Sequence, residues 1–199
     1  MKRLLDIVAA SVGLLVLAPL LGAVALLIKL DSPGPVFFTQ QRIGKDFRPF
    51  WIFKFRTMRQ TDQTALPLTI GADPRITRVG AFLRRSKIDE LPQLLNILKG
   101  DMTLVGPRPE VPRYVEVFHR DYEEILTVRP GLTDLASLKY SDESALLAGS
   151  SDPEEEYLTC VLPDKIRLGK EYIRRSSLIY DLNLIGKTFH RVLFPGSAT

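Results

Sequence analysis

The hydrophobic pattern changes along the chain from one unbroken apolar run to segments with two distinct faces. Residues 7–28 are 22 positions without a charged side chain, between Asp6 and Lys29. As a helix this run would extend about 33 Å, enough to cross the hydrocarbon core of a bilayer. Residues 112–128 and 178–193 instead repeat apolar side chains at helical spacing, which predicts amphipathic helices. We expect these helices to lie at a membrane interface or on the protein core.

Basic residues on both sides of the apolar run indicate how it meets the membrane. Lys2 and Arg3 precede it, and Lys29 follows it. Because basic flanks favour the cytoplasm, both ends of the run favour the same face. Pro19, near the middle, allows the helix to bend. The pattern therefore favours a re-entrant helix over a straight crossing or a signal peptide cleaved after residue 25.

Two short segments rich in aromatic residues follow, over residues 36–44 and 50–58. They predict two strands joined near Lys45 in a β-hairpin. Aromatic residues interleaved with Lys54 and Arg56 would also suit a platform for single-stranded nucleic acid. A strand with one core face and cations at a ligand edge is the commoner arrangement, so we expect no nucleic-acid partner.

These elements together predict a mostly helical α+β fold in two parts. We expect residues 1–30 to form the re-entrant membrane helix and residues 31–199 to form a small cytoplasmic domain with the hairpin and interfacial amphipathic helices. The net charge of +4 and the pI of about 9.2 favour anionic partners such as nucleotides and phospholipids. The single Cys160 excludes an internal disulfide, and two histidines give little support to a histidine-rich metal site or a Ser-His-Asp triad.

The candidate chemistry lies in Asp89 and Glu90, which precede a predicted short helix that starts at Pro92 and is stopped by Gly100. Capping of that helix is one role that the two carboxylates could have. The surrounding cations favour another, since carboxylates among many basic residues suit chemistry on an anionic phosphate. Those cations are Lys54, Arg56, Arg84 and Arg85 upstream, and Arg108 and Arg129 in proline-containing turns downstream.

Five motifs in this order resemble the bacterial sugar transferase family, the monotopic polyprenyl-phosphate phosphoglycosyl transferases. The resemblance covers residues 1–135 and is weaker beyond. The motifs are Lys54-Phe55-Arg56-Thr57-Met58, Asp73-Pro74-Arg75-Ile76-Thr77-Arg78-Val79-Gly80, Lys87-Ile88-Asp89-Glu90-Leu91-Pro92-Gln93, Lys99-Gly100-Asp101-Met102-Thr103-Leu104-Val105-Gly106-Pro107-Arg108-Pro109 and Arg129-Pro130-Gly131-Leu132-Thr133.

The resemblance implies transfer of a sugar-1-phosphate from a UDP-sugar to undecaprenyl phosphate, with release of UMP. It implies a location among the lipids of the bacterial inner membrane, at the cytoplasmic face, in the first membrane step of glycan assembly. The chain departs from the family at two positions: Ala18-Pro19 stands where Ser-Pro is common, and Asp134 stands where many members have glycine. We interpret Asp134 as the mark of a subgroup with a different sugar pocket.

The chemistry of the candidate residues suggests their roles, and the resemblance favours Asp89 over Glu90 as the nucleophile. We expect Asp89 to form an aspartyl phosphosugar and Glu90 to hold Mg²⁺. We expect phosphates to be bound by Lys54, Arg56, Arg84, Arg108 and Arg129. Spacing alone leaves the reversed roles of Asp89 and Glu90 open. Two rival classes are a membrane-anchored binding protein without turnover and a metal-dependent phosphodiesterase. The sugar, the pathway and homo-oligomer formation are left open by the sequence.

Overall fold

The computed structural model describes residues 2–59, 70–71 and 73–194, and within these it is mostly helical. Two strand pairs accompany ten α-helices in the described residues. The strands are β1 (Phe37–Ile43), β2 (Pro49–Phe55), β3 (Thr103–Val105) and β4 (Gly131–Thr133). The helices are α1 (Lys2–Asp31), α2 (Arg78–Ser86), α3 (Leu94–Lys99), α4 (Pro112–Val117), α5 (His119–Ile125), α6 (Leu135–Lys139), α7 (Glu143–Ala148), α8 (Pro153–Glu156), α9 (Leu162–Arg175) and α10 (Leu178–Leu193).

Helix α1 contains the whole apolar run and continues through Pro19 as one element. Among the residues that the structure describes, it is the one helix long and apolar enough to cross a membrane. Most of its large apolar side chains are exposed, from Leu4 near its start to Leu30 near its end. Ala10, Val24 and Ile28 are buried against the rest of the protein. One side of α1 thus packs on the domain and the other presents apolar surface.

Polar contacts attach both ends of α1 to the domain. Near its start, Lys2 Nζ donates to Val105 O at 2.8 Å, and the buried Asp6 accepts from Thr103 Oγ1 at 2.8 Å. Near its end, Asp31 Oδ2 accepts from Val79 N at 3.2 Å, and Arg56 donates to Ser32 O at 2.7 Å. The helix therefore lies along the domain, with both ends bound to it.

The predicted β-hairpin is confirmed, with β1 and β2 antiparallel from Phe37↔Phe55 to Ile43↔Pro49. The second strand pair is predicted only in part. The brief strand that the sequence predicts over residues 102–105 is confirmed as β3, whereas residues 129–133, predicted as a turn, contain β4, which pairs in parallel with β3. Glycine allows this pairing, because a Cβ on Gly131 would lie 2.1 Å from Gly106 N. The close approach fixes the turn that follows β3, residues 106–109.

The helix predictions differ in outcome. Apolar side chains at helical spacing predict a helix over residues 178–193. This prediction is confirmed, because α10 has the same bounds. The single helix predicted over residues 112–128 is wrong: Phe118, with φ −110° and ψ 34°, divides it into α4 and α5. The acidic and polar residues 141–156 predict a loop with some helix, and in the structure they contain α7 and α8. Tyr114, Tyr157 and Leu162 are buried in the largest core cluster, which joins α4 to α9.

Two glycines that lie within helices test how closely α2 packs against the segment that follows β2. A Cβ on Gly80 would lie 2.0 Å from Thr57 O, whereas one on Gly186 in α10 would have no described atom within 4 Å. We expect Gly80→Ala to reduce the stability by about 2 kcal/mol or more. Gly186→Ala should gain up to about 1 kcal/mol from helix propensity. Thermal unfolding of the two detergent-solubilised variants measures both, and a raised melting temperature for Gly80→Ala would contradict this packing.

Candidate active site

Asp89 and Glu90 lie in a 3₁₀ turn, Ile88–Gln93, that connects α2 to α3. The sequence pattern predicts Pro92 at the first position of an α-helix; instead it lies inside this turn, and α3 begins at Leu94. A proline removes a backbone donor and restricts the residue before it, which favours a short tight turn over a longer α-helix. Gly100 ends α3 with φ 95°, as expected.

Helix capping does not account for the two carboxylates. The residues that precede the 3₁₀ turn and α3 are Lys87 and Gln93, and neither position has a side-chain capping bond. Both carboxylates lie in the first turn of this 3₁₀ segment, where negative charge suits the unpaired amides, but neither side chain makes a capping bond. The hydrogen bonds of Glu90 go to Lys54 and Arg108 instead.

Glu90 is the centre of a partly buried charge cluster. Its Oε1 accepts from Lys54 Nζ at 2.7 Å and from Arg108 NH2 at 2.8 Å. Lys54 comes from β2 and Arg108 from the turn after β3, so three separate segments meet at one carboxylate. Burial by itself would raise the pKa of Glu90, but the charges and hydrogen bonds of Arg108 and Lys54 hold it well below its ordinary value. Glu90 is therefore ionised.

Asp89 has the opposite environment. It is 8% exposed, and its Oδ1 has no hydrogen-bond partner among the described residues. Burial and the neighbouring charge of Glu90 raise its pKa to about 6, against the opposing charges of Lys54, Lys87 and Arg84. A buried carboxylate oxygen without a partner is costly, and such groups concentrate at functional sites. At neutral pH Asp89 is an ionised, poorly solvated carboxylate.

The two cations at Glu90 differ in how they are held. The charge of Glu90 raises the pKa of Arg108 above its already high ordinary value, against the effect of burial, so Arg108 is always charged. Its NH1 also donates to Ser137 Oγ at 2.8 Å. Burial lowers the pKa of Lys54, and the charge of Arg108 acts in the same direction, while Glu90 opposes both. Lys54 is thus the more easily neutralised of the two.

The other three predicted phosphate-binding residues have different surroundings. Arg84 Nε donates to Thr57 Oγ1 at 3.0 Å, and its charge acts on Asp89. Arg56 is buried and donates to the carbonyls of Ser32 and Pro33, beyond the end of α1. Arg129 Nε donates to Gly100 O at 2.7 Å, at the opposite end of α3 from the carboxylates. The structure therefore brings Lys54, Arg108 and Arg84 to the carboxylate pair, and not Arg56 or Arg129.

Sequence reasoning misses Ser137 and the bonds that Asp134 makes to it. Asp134 precedes α6 and accepts from Ser137 N at 2.8 Å. Aspartate is one of the preferred residues at a helix N-cap, so its place ahead of residues 135–139 could have predicted the backbone bond. Nothing in the sequence indicates that the Ser137 hydroxyl contacts Arg108, since 29 positions separate the two residues.

The site offers a metal ion few protein ligands. Among the described residues no group of three or more His, Cys, Asp or Glu side chains could hold a metal ion. Mg²⁺ is usually bound by only one or two carboxylates, with water and substrate phosphates completing the shell. Both cation bonds of Glu90 end on Oε1, so Oε2 is the oxygen available to a metal ion. The donor set therefore fits Mg²⁺ bound together with a phosphate-containing substrate.

Comparisons with known proteins find related sequences over most of the chain. A UDP-N-acetylgalactosamine-undecaprenyl-phosphate N-acetylgalactosaminephosphotransferase of Aeromonas hydrophila is 40% identical over 96% of this chain and 43% of its own length. An undecaprenyl-phosphate glucose phosphotransferase of Komagataeibacter xylinus is 41% identical over 99% of this chain and 36% of its own. The chain thus spans about two fifths of the length of these two relatives.

A third relative matches over nearly its whole length. The exopolysaccharide production protein PSS of Rhizobium leguminosarum bv. phaseoli is 40% identical over 93% of this chain and 91% of its own. The model of the family described as bacterial sugar transferase matches residues 1–195, which include α1, the carboxylate pair and α10. The chain therefore belongs to the bacterial sugar transferase family.

Proposed function

We propose that this protein transfers a sugar-1-phosphate from a UDP-sugar to undecaprenyl phosphate and releases UMP. The observation that carries the proposal is the buried Asp89 carboxylate beside Glu90, which is bound by Lys54 and Arg108. An unpaired carboxylate suits a nucleophile, and the adjacent cations suit a diphosphate. The names of the relatives, which include undecaprenyl-phosphate sugar phosphotransferases, agree with this reaction.

In the proposed first step the ionised Asp89 attacks the β-phosphorus of the UDP-sugar. A carboxylate O–P bond forms, the bond from the β-phosphorus to the oxygen bridging it to UMP breaks, and UMP leaves with that electron pair. An oxygen of undecaprenyl phosphate then attacks the phosphorus of the aspartyl phosphosugar. The Asp89 O–P bond breaks and the free carboxylate is restored. Asp89 needs no general base, because it is already ionised at neutral pH.

The obstacle to this step is repulsion between two anions. Two like charges about 4 Å apart near a protein surface repel by about 4 kcal/mol, and the diphosphate carries more than one charge. Lys54 and Arg108 both bind Glu90 in this structure. When the substrate is present, they would bind its phosphates and reduce this repulsion. Mg²⁺ held by Glu90 Oε2 would supply further charge neutralisation at the diphosphate.

We also propose that α1 is re-entrant and that the domain lies at the cytoplasmic face of the inner membrane. Both ends of α1 bind the same domain through Lys2, Asp6 and Asp31, which suits a helix that enters and leaves by one face. Exposed apolar side chains elsewhere would extend the lipid-facing surface. They are Phe37, Phe38 and Trp51 on the hairpin and Leu178, Ile179, Leu182 and Phe189 on α10.

The reaction is tested by the products of the solubilised protein with Mg²⁺, undecaprenyl phosphate and a panel of UDP-sugars. We expect continuous UMP release only with the lipid acceptor and with one or two sugars. Without acceptor, release should stop at one UMP per protein molecule, because the aspartyl phosphosugar accumulates. Continuous UMP release without acceptor would instead indicate a phosphodiesterase. Release of UDP in place of UMP would exclude attack by Asp89. No nucleotide release from any donor would favour a binding protein.

The separate roles of the two carboxylates are tested by Asp89→Asn and Glu90→Gln. We expect Asp89→Asn to lower turnover at least about a thousandfold and to abolish protein labelling by a donor with a radioactive sugar phosphate. Glu90→Gln keeps acceptors for Lys54 and Arg108 but loses a charge. It should raise the Mg²⁺ concentration for half-maximal turnover about tenfold or more.

Asp121→Asn is the matched control, because Asp121 pairs with Lys170 between α5 and α9. It should leave turnover and the Mg²⁺ requirement unchanged. Labelling that persists in Asp89→Asn but is lost in Glu90→Gln would reverse the two assignments.

The re-entrant arrangement is tested by protease digestion of membrane vesicles. Two fusions carry an epitope, one ahead of Met1 and one after Thr199. We expect both epitopes to be digested in inverted inner-membrane vesicles and both to be protected in right-side-out vesicles. A helix that crosses the membrane would instead protect the epitope at Met1 wherever the one at Thr199 is digested.

A further inference from the structure

Asp134 is almost completely buried, and its hydrogen bonds lead towards the carboxylate pair. It is 3% exposed, and its two oxygens accept from the backbone N–H and the hydroxyl of Ser137. A serine hydroxyl has one proton to donate and lone pairs with which to accept. Here the proton goes to Asp134, and a lone pair of Ser137 Oγ accepts from Arg108 NH1 at 2.8 Å.

The same arginine reaches Glu90 with its other terminal nitrogen. Arg108 NH2 donates to Glu90 Oε1 at 2.8 Å, while NH1 is held by Ser137. A guanidinium is planar and rigid, so fixing one terminal nitrogen restricts the direction of the other. Asp134, Ser137, Arg108 and Glu90 thus form a continuous chain of hydrogen bonds from the start of α6 to the 3₁₀ turn.

We propose that Asp134 and Ser137 are positioning residues for Arg108. They hold NH1 of Arg108 in place. NH2 can then release Glu90 and bind a substrate phosphate while the guanidinium keeps its orientation. Asp134 also places a negative charge near Arg108, with Oδ2 4.0 Å from NH1. The inference rests on the proposed function, because it concerns the same phosphate-binding arginine.

Two other roles for Asp134 fit the structure less well than the positioning of Arg108. These roles are a place in a sugar pocket and simple capping of α6. A role in a sugar pocket requires access, but Asp134 is buried and the cavity beside it, also lined by Arg108 and Lys165, is about 20 Å³. That volume has room for a water molecule and not for a hexose. Simple capping uses only the backbone N–H of Ser137 and does not account for the hydroxyl bridge to Arg108.

Substitution of Ser137 separates positioning from capping. Ser137→Ala removes the hydroxyl bridge but retains the backbone N–H that Asp134 caps, and Ser137→Thr retains a hydroxyl. We expect Ser137→Ala to lower kcat/KM for the UDP-sugar about tenfold and to weaken binding of UMP, measured by calorimetry without turnover. Ser137→Thr should stay within about twofold of the unsubstituted protein, and melting temperatures should change little in either variant. Equal kcat/KM values for Ala, Thr and Ser at this position would overturn the proposal.

A double-substitution cycle tests whether Ser137 acts through Arg108. In an Arg108→Lys background the planar two-armed contact is absent, so adding Ser137→Ala should cost less than about twofold. Losses that multiply in the double variant would overturn the proposal, because Ser137 would then act by another route.

Two further measurements serve as controls. Ser177→Ala removes the side-chain cap of α10, where Ser177 Oγ accepts from Tyr180 N at 3.2 Å. It should leave kcat/KM unchanged, and a tenfold loss there would overturn the proposal, because removing a serine hydroxyl far from Arg108 would then have the same effect. The unsubstituted protein is assayed for lipid-dependent UMP release in parallel. Failure of that assay contradicts the proposed function, whereas a working assay with unaffected Ser137 variants contradicts only the positioning role.

Discussion

The contact of Glu90 with both Lys54 and Arg108 is the interaction on which the site depends. It joins β2, the 3₁₀ turn and the turn after β3, which are far apart in sequence. Buried ion pairs are weak sources of stability, because removing the charges from water costs about as much as their attraction returns. Apolar residues of similar size could join the same segments. The charges are therefore better accounted for by chemistry than by folding.

That cluster also gives two adjacent carboxylates different properties. Glu90 has two cations within hydrogen-bonding distance, which keep its pKa low, whereas burial keeps the pKa of Asp89 high. Pairs of titratable groups with pKa values moved apart by their surroundings are typical of sites where two acids have different roles. The sequence places Asp89 and Glu90 side by side and leaves either assignment open. The partners of each side chain in the fold, rather than its position in the chain, favour Asp89 as the nucleophile.

Predictions from the sequence succeed where the signal is local. The apolar run of α1, the aromatic-rich segments of the hairpin and the helical spacing in α10 are local signals, and all three elements are present. Predictions fail where the backbone interrupts a local pattern, as at Phe118, and where distant segments meet. The pairing of β3 with β4 depends on the approach of Gly106 to Gly131, which no pattern near either glycine shows.

The arginines show the same limit within the site. Arg56 and Arg108 both stand in basic motifs, and the sequence favours phosphate binding by both. In the fold Arg56 donates to backbone carbonyls beyond α1, and Arg108 reaches Glu90. Which neighbours a guanidinium meets is decided by tertiary packing, so residue type and spacing alone could not separate them.

The turn that carries Arg108 is held by contacts from several elements. Some of these contacts come from α6, α9 and α10, so the part of the chain beyond residue 135 has a structural role. Ahead of the turn, Val105 O accepts from Lys2 Nζ and Tyr172 Oη, and Lys2 Nζ also donates to Asp181 in α10. Beside it, β4 lies against Gly106, and beyond it Ser137 holds the guanidinium itself. In the sequence, the basic residues at the start of α1 indicate only a preference for the cytoplasm. In the structure Lys2 Nζ also donates to Val105 O, Tyr172 Oη and Asp181, which connects α1 to β3, α9 and α10. The start of α1 and the turn that carries Arg108 are therefore held by the same contacts.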